Sequence, residues 1–186
     1  MRTALGFRAH SGWAAMVAAT GTLDAPRVLD RRRIVIADAD VPGARQPYHA
    51  AAGLPFTAAE ALVRNAVESS RALAAEAIAA AVKSLESRGC EVAACAVLMG
   101  SAKPLQELGR ILSSHALIHT AEGHMFRDAL LFGAQNRGLW VEGIPEKELD
   151  RASLKRIDSL GRLLGPPWTQ DQKYATLAAL IALARR

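Results

Sequence analysis

The sequence predicts an α/β fold: a mixed sheet of about five strands with helices on its faces. Three observations carry that prediction. Two apolar-rich runs, Thr3–Ala9 and Trp13–Thr20, flank His10-Ser11-Gly12, where Gly12 is free to take a positive φ, so the chain opens on a β-hairpin. Val92–Met99 is an uninterrupted apolar run bounded by Gly89 and Gly100, the pattern of a central strand covered on both faces and paired in parallel. The remaining elements alternate helix with strand after the opening strands, which calls for a sheet layered between helices.

Taken in order, a third strand is expected over Arg33–Ala37, where Ile34 and Ile36 alternate about Val35. A long Pro-, Gly- and Ala-rich connection follows from Asp38 to Phe56 and contains Tyr48 and His49. Thr57-Ala58-Ala59-Glu60 has the form of a capping box. From there Ala59, Leu62, Val63, Ala66, Leu73, Ala77, Ala81 and Leu85 advance by threes and fours, predicting one long amphipathic helix closed at Gly89. After the central strand, a short helix is expected from Pro104 to Ser114, then an extended link Leu117-Ile118-His119. A helix over Ala121–Arg137 would be capped by Thr120 and stopped by Gly138. Leu139–Ile144 reads as a strand, Pro145 to about Leu164 as a helix, and Gly165-Pro166-Pro167 as a break. Thr169 caps a final apolar helix to Arg186.

A chain of 186 residues with 51% hydrophobic and 22% charged residues can build a single domain, 1–186, around a proper core, and is not of the disordered class. Cys90 and Cys95 lie in or beside the central apolar run, where thiols behave as small hydrophobes, so neither a disulfide nor a zinc site is read from them. The charge-free run Tyr174–Ala184 falls short of the ~20 residues that span a bilayer, and the segment between Arg2 and Arg8 is too short for a signal peptide. A cytoplasmic protein with no membrane contact is expected. Net charge +5 and a pI near 9.7 permit attraction to nucleic acid, and a homo-oligomer is compatible with everything above. The basic run Arg31-Arg32-Arg33 reads as a solvated strand start.

Chemistry-bearing residues concentrate in His119-Thr120-Ala121-Glu122-Gly123-His124 and Arg127, near an expected helix start. With Arg8 and His10 from the hairpin they form the candidate site: Arg8, His10, His119, Glu122 and Arg127. The bland alternative makes Thr120 a cap and Glu122 a partner of the helix dipole. His115 and His119 have the i,i+4 spacing that chelates a metal on a continuous helix, but an extended Leu117-Ile118 would separate them, so no metal site is predicted. The glycines assemble no Walker or dinucleotide fingerprint, and no cofactor is indicated. Trp13, Trp140 and Trp168 read as core or interface anchors.

The element order, with Leu5-Gly6-Phe7 leading to Ser11-Gly12-Trp13, Ala129–Gly138 followed by Leu139-Trp140-Val141, and the closing stretch Asp171–Leu183, resembles the ribonuclease H-like fold in its RuvC-type resolvase form. That resemblance implies clustered carboxylates from the first strand, the central strand and the last helix, holding divalent ions for phosphodiester hydrolysis. Here Arg8 stands in place of the first-strand acid, Val92–Met99 has no acid, and Asp171 alone is near its expected place. The reading is therefore a non-catalytic binding or interaction protein on a degenerate nuclease-like fold. Two alternatives accompany it: a hydrolase-class enzyme using His10, His119 and Glu122, and nucleic-acid binding without cleavage.

Overall fold

The computed structural model describes residues 1–100 and 104–186. Strands β1 (Arg2–His10), β2 (Trp13–Gly21), β3 (Pro26–Val35), β4 (Glu91–Met99) and β5 (Trp140–Pro145) form one mixed sheet of order β3-β2-β1-β4-β5. The first three pair antiparallel, and β4 runs parallel to both β1 and β5. This is the expected five-stranded α/β sheet with a central parallel strand. Gly12 takes φ +79° at the hairpin, closing the pair His10–Trp13.

The helices are α1 (Pro47–Ala51), α2 (Phe56–Glu86), α3 (Leu108–Leu112), α4 (His115–Asn136), α5 (Arg151–Ser159), α6 (Gly161–Leu164) and α7 (Gln170–Arg185). Alternation along the strands divides the core into two layers. Leu5 and Phe7 of β1 with Cys95 and Val97 of β4 face α2 and α4, where Ile78, Leu85, Phe126 and Leu130 meet them. Ala4 of β1 with Ala94, Ala96 and Leu98 of β4 face α7, packing on Leu177, Ala178 and Ala179. The α7 side is built of small side chains, so helix and sheet approach closely. Burial is complete around Cys95 and pushes its thiol far up from its ordinary range, leaving it an inert core residue.

Several boundaries differ from the sequence reading. β3 is Pro26–Val35 rather than Arg33–Ala37, because β2 pairs along its length from Gly21–Pro26 to Trp13–Val35. Its charged residues conceal the strand, since an edge strand is free to leave polar side chains in water. Arg31 is not a solvated charge: its guanidinium donates to the carbonyls of Leu164 (2.6 Å), Gly165 (3.0 Å) and Pro167, clamping the turn before α7. The long connection contains α1. The Thr57 capping box does not form, because α2 starts two residues earlier, with Pro55 in the cap position and Ala59 N donating to Pro55 O at 3.0 Å, which puts Thr57 inside the first turn. The buried line of α2 also shifts in its middle to Ser70, Ala74 and Ile78.

The helix expected from Pro104 to Ser114 is only α3. Leu117-Ile118-His119 is helical, not extended: Ser114 is the extended residue (φ −142°, ψ 116°), and α4 begins directly after it. Thr120 therefore caps nothing; its hydroxyl donates to Ala116 O, 2.9 Å away, within the helix. The single helix expected from Pro145 to Leu164 is broken, because Pro145 completes β5. A 3₁₀ turn, Glu146–Glu148, follows, and Asp150 caps α5 by accepting from Ala152 N and Ser153 N. Thr169 does cap α7, in a full capping box with Gln172. Among the described residues no helix is long and apolar enough to cross a membrane.

Candidate functional site

In open α/β sheets ligands bind beyond the carboxyl ends of the parallel strands. At that end of this sheet β1 delivers Arg8 and His10, β5 runs into Glu146, and the first two turns of α7 deliver Asp171 and Tyr174. Arg8 is the hub. Its Nη1 donates to Asp171 Oδ1 at 2.9 Å, its Nε to Glu146 Oε1 at 3.2 Å, and its guanidinium lies 4.7 Å from the centre of the Tyr174 ring. His10 Nε2 approaches the same Asp171 oxygen to 3.1 Å, an electrostatic contact without hydrogen-bond geometry. Asp171 thus sits at a helix start, where the dipole favours an anion, and is held there by Arg8.

Beside this hub the His10 ring stacks on Trp13 (4.3 Å between centres, 14° between planes), and Arg33 lies 4.1 Å from the centre of the same indole. Trp13 is a surface anchor for cations and His10, at the rim of the sheet. Trp168 is an anchor of another kind, donating from Nε1 to Ile157 O at 3.2 Å.

On the opposite layer α4 carries the other candidates. His10, His119 and Glu122 line one small cleft of about 190 Å³ together with Ser11, Gly123 and Phe126. Three of the five residues singled out from the sequence therefore line one cleft. Arg8 is turned to the α7 face and is not among the residues lining it. Arg127 lies under the cleft floor: a Cβ placed on Gly123 would come within 3.1 Å of its guanidinium. Burial lowers the Arg127 pKa, opposed by the charge of Glu146, and its Nε has no hydrogen-bond partner among the described residues.

Glu122 is 3% exposed and is no partner of the helix dipole. It accepts from the His49 backbone N at 3.3 Å and meets His49 Nδ1 at 3.0 Å. Its charge, behind the larger effect of burial, raises the Tyr48 phenol. Because α4 is continuous, His115 and His119 share a face, with their Nε2 atoms 3.0 Å apart, and the separation that argued against a common site is removed. His49, His115, Glu146 and Tyr174 were not among the sequence candidates. The i,i+4 histidine pair was a usable signal, whereas nothing local marks Glu146 or the long-range partnership of His49 with Glu122.

Among the described residues the carboxylate cluster implied by the resolvase resemblance is not assembled. The end of β4 supplies Val97, Leu98 and Met99, and the two acids that meet Arg8 of the first strand, Asp171 and Glu146, are both bound to its guanidinium. A fixed cation lies where the family chemistry needs an anion, so these residues do not fit a divalent metal pair.

No protein-family model and no curated protein matches the sequence. Solved structures do match in fold. Thermus thermophilus RuvC in complex with Holliday junction substrate superposes with a TM-score of 0.55 at 12% identity, covering 97% of this chain and 91% of that one. A second structure of Thermus thermophilus RuvC gives 0.53 at 12% identity, covering 96% and 91%. The likeness is one of fold, and it identifies the sheet and its helices as ribonuclease H-like in the RuvC form.

Proposed function

We propose that this chain is a cytoplasmic binding protein whose ligand is nucleic acid and which does not cleave it by the resolvase mechanism. The observation that carries the reading is the Arg8 guanidinium held between Asp171 and Glu146. A carboxylate that already neutralises an arginine and faces His10 has little charge left for Mg²⁺. Support for a nucleic-acid ligand comes from the net charge of +5 and from the RuvC structure of like fold, which was solved with a Holliday junction substrate. The exposed Arg33 beside Trp13, with His10 stacked on that indole, offers a phosphate contact at the rim of the sheet.

Fluorescence anisotropy with branched and duplex DNA tests this. Binding should be measurable at low salt and fall linearly in log–log form with added salt, by about 0.9 per phosphate neutralised. Arg33→Ala should weaken binding to all sequences alike and reduce that slope by about 1. Absence of binding at low salt, or affinity indifferent to salt, contradicts the reading.

A further inference from the structure

The three histidines at the junction of α1 and α4 are not absorbed by the nucleic-acid reading, and they have the chemistry of a metal site. We propose that His49, His115 and His119 bind a single divalent cation of the zinc class, with Glu122 orienting His49 and the fourth coordination position left to water or an exchangeable ligand. This inference stands independently of nucleic-acid binding.

Four features support it. The ligand atoms of the three histidines already lie within 4.8 Å of one another. Tetrahedral coordination at metal–nitrogen distances of 2.0–2.1 Å requires nitrogen separations of about 3.3 Å, so rotation of exposed rings closes the set. His115 and His119 are exposed and already have their Nε2 atoms 3.0 Å apart, a pairing in which one nitrogen must donate unless a cation receives both lone pairs. The rings meet edge to face, with centres 4.4–5.2 Å apart.

Glu122 supplies the orienting partner that such sites use. Buried and 3.0 Å from His49 Nδ1, it fixes the tautomer that leaves Nε2 with its lone pair outward. A second bond, from His49 backbone N, holds α1 against α4 so that the site spans two elements. The donor set selects the metal: neutral imidazoles suit Zn²⁺, Co²⁺, Ni²⁺ or Cu²⁺ and not Mg²⁺ or Ca²⁺. The positive end of the α4 dipole opposes a cation at His115, but the dipole is a weak surface effect beside direct ligation, and the Glu122 carboxylate acts against it. Three protein ligands with an open fourth position is the pattern of exchangeable rather than structural zinc. The small cleft lined by His119 and Glu122 adjoins these two residues of the proposed site.

The test is titration of chelator-treated full-length protein with Zn²⁺ by calorimetry and with Co²⁺ by visible absorption. One equivalent should bind, Co²⁺ should give the intense spectrum of a tetrahedral site, and Zn²⁺ should raise the Tm. His49→Ala, His115→Ala and His119→Ala should each weaken binding by more than the roughly 10–100-fold expected of Glu122→Gln, and His124→Ala should leave it unchanged. His115 and His119 are exposed, so their variants keep the fold. The wild-type Co²⁺ spectrum stands even if His49→Ala does not fold. The proposal is overturned if the wild type gives only a six-coordinate Co²⁺ spectrum. It is equally overturned if removing His115 and His119 together leaves Zn²⁺ affinity unchanged.

Discussion

Gly6→Ala is expected to be the most damaging single-methyl change in this protein. A Cβ at position 6 would fall 1.8 Å from Ala175 O, 2.8 Å from Ala175 C and 3.0 Å from Ala179 N, all backbone atoms of α7. No side-chain rotation relieves contacts with backbone, so the helix must lift from the sheet. The layer beneath α7 is made of Ala4, Ala94 and Ala96 against Ala178 and Ala179, and these small residues gain their contacts only at close approach. Overpacking typically costs 1–3 kcal/mol, and a clash with backbone on this scale belongs at or above the upper end, about 3 kcal/mol or more. Denaturant unfolding of the purified variant measures it. Because α7 also carries Asp171, the variant should lose the Arg8–Asp171 pair along with stability. A variant as stable as wild type would mean that α7 does not pack directly on β1 at Gly6.

Arg8→Asp is the second large effect. It removes the cation from Asp171 and Glu146 and adds a like charge beside them. Breaking a buried pair costs 3–5 kcal/mol, but these side chains are 22% to 41% exposed, so solvent screening brings the expected loss to roughly 2–3 kcal/mol at low ionic strength. The sign of the divalent-ion response is more informative than the loss itself. Three carboxylates facing one another without Arg8 should be stabilised by millimolar Mg²⁺ or Mn²⁺, while the wild type should show little response. Tm measured with and without the ion separates the two. Equal stabilisation of both proteins would show that Arg8 does not occupy the cation's place.

What could be read ahead of the structure followed the range of the forces involved. β4 was legible because burial on both faces writes itself as a continuous run, Val92–Met99. The first hairpin was legible because Gly12 must take a positive φ. β3 was misplaced because its position depends on pairing with β2, and its Asp30-Arg31-Arg32-Arg33 stretch is tolerated by an edge. The start of α4 was missed because Thr120 reads as a helix cap although its hydroxyl donates to Ala116 O within the helix, and Glu122 is an anomaly beside the buried line of Ile118, Ala121, Met125 and Ala129. That same anomaly, a carboxylate on the inner face of a helix, marks the His49 partner 73 positions earlier, which no local pattern reveals. At the other centre, the substitution of Arg8 for an acid was visible, while its second carboxylate, Glu146, was hidden in a segment read as helix.

The proposed binding without cleavage requires that Arg8 replace the chemistry of cleavage while leaving a surface that binds. Incubating pure wild-type protein and Asp171→Asn with four-way-junction DNA and Mg²⁺ or Mn²⁺, under conditions where binding is saturated, tests it most directly. Both proteins should leave the strands intact. Strand cleavage by the wild type that disappears in Asp171→Asn would contradict the account.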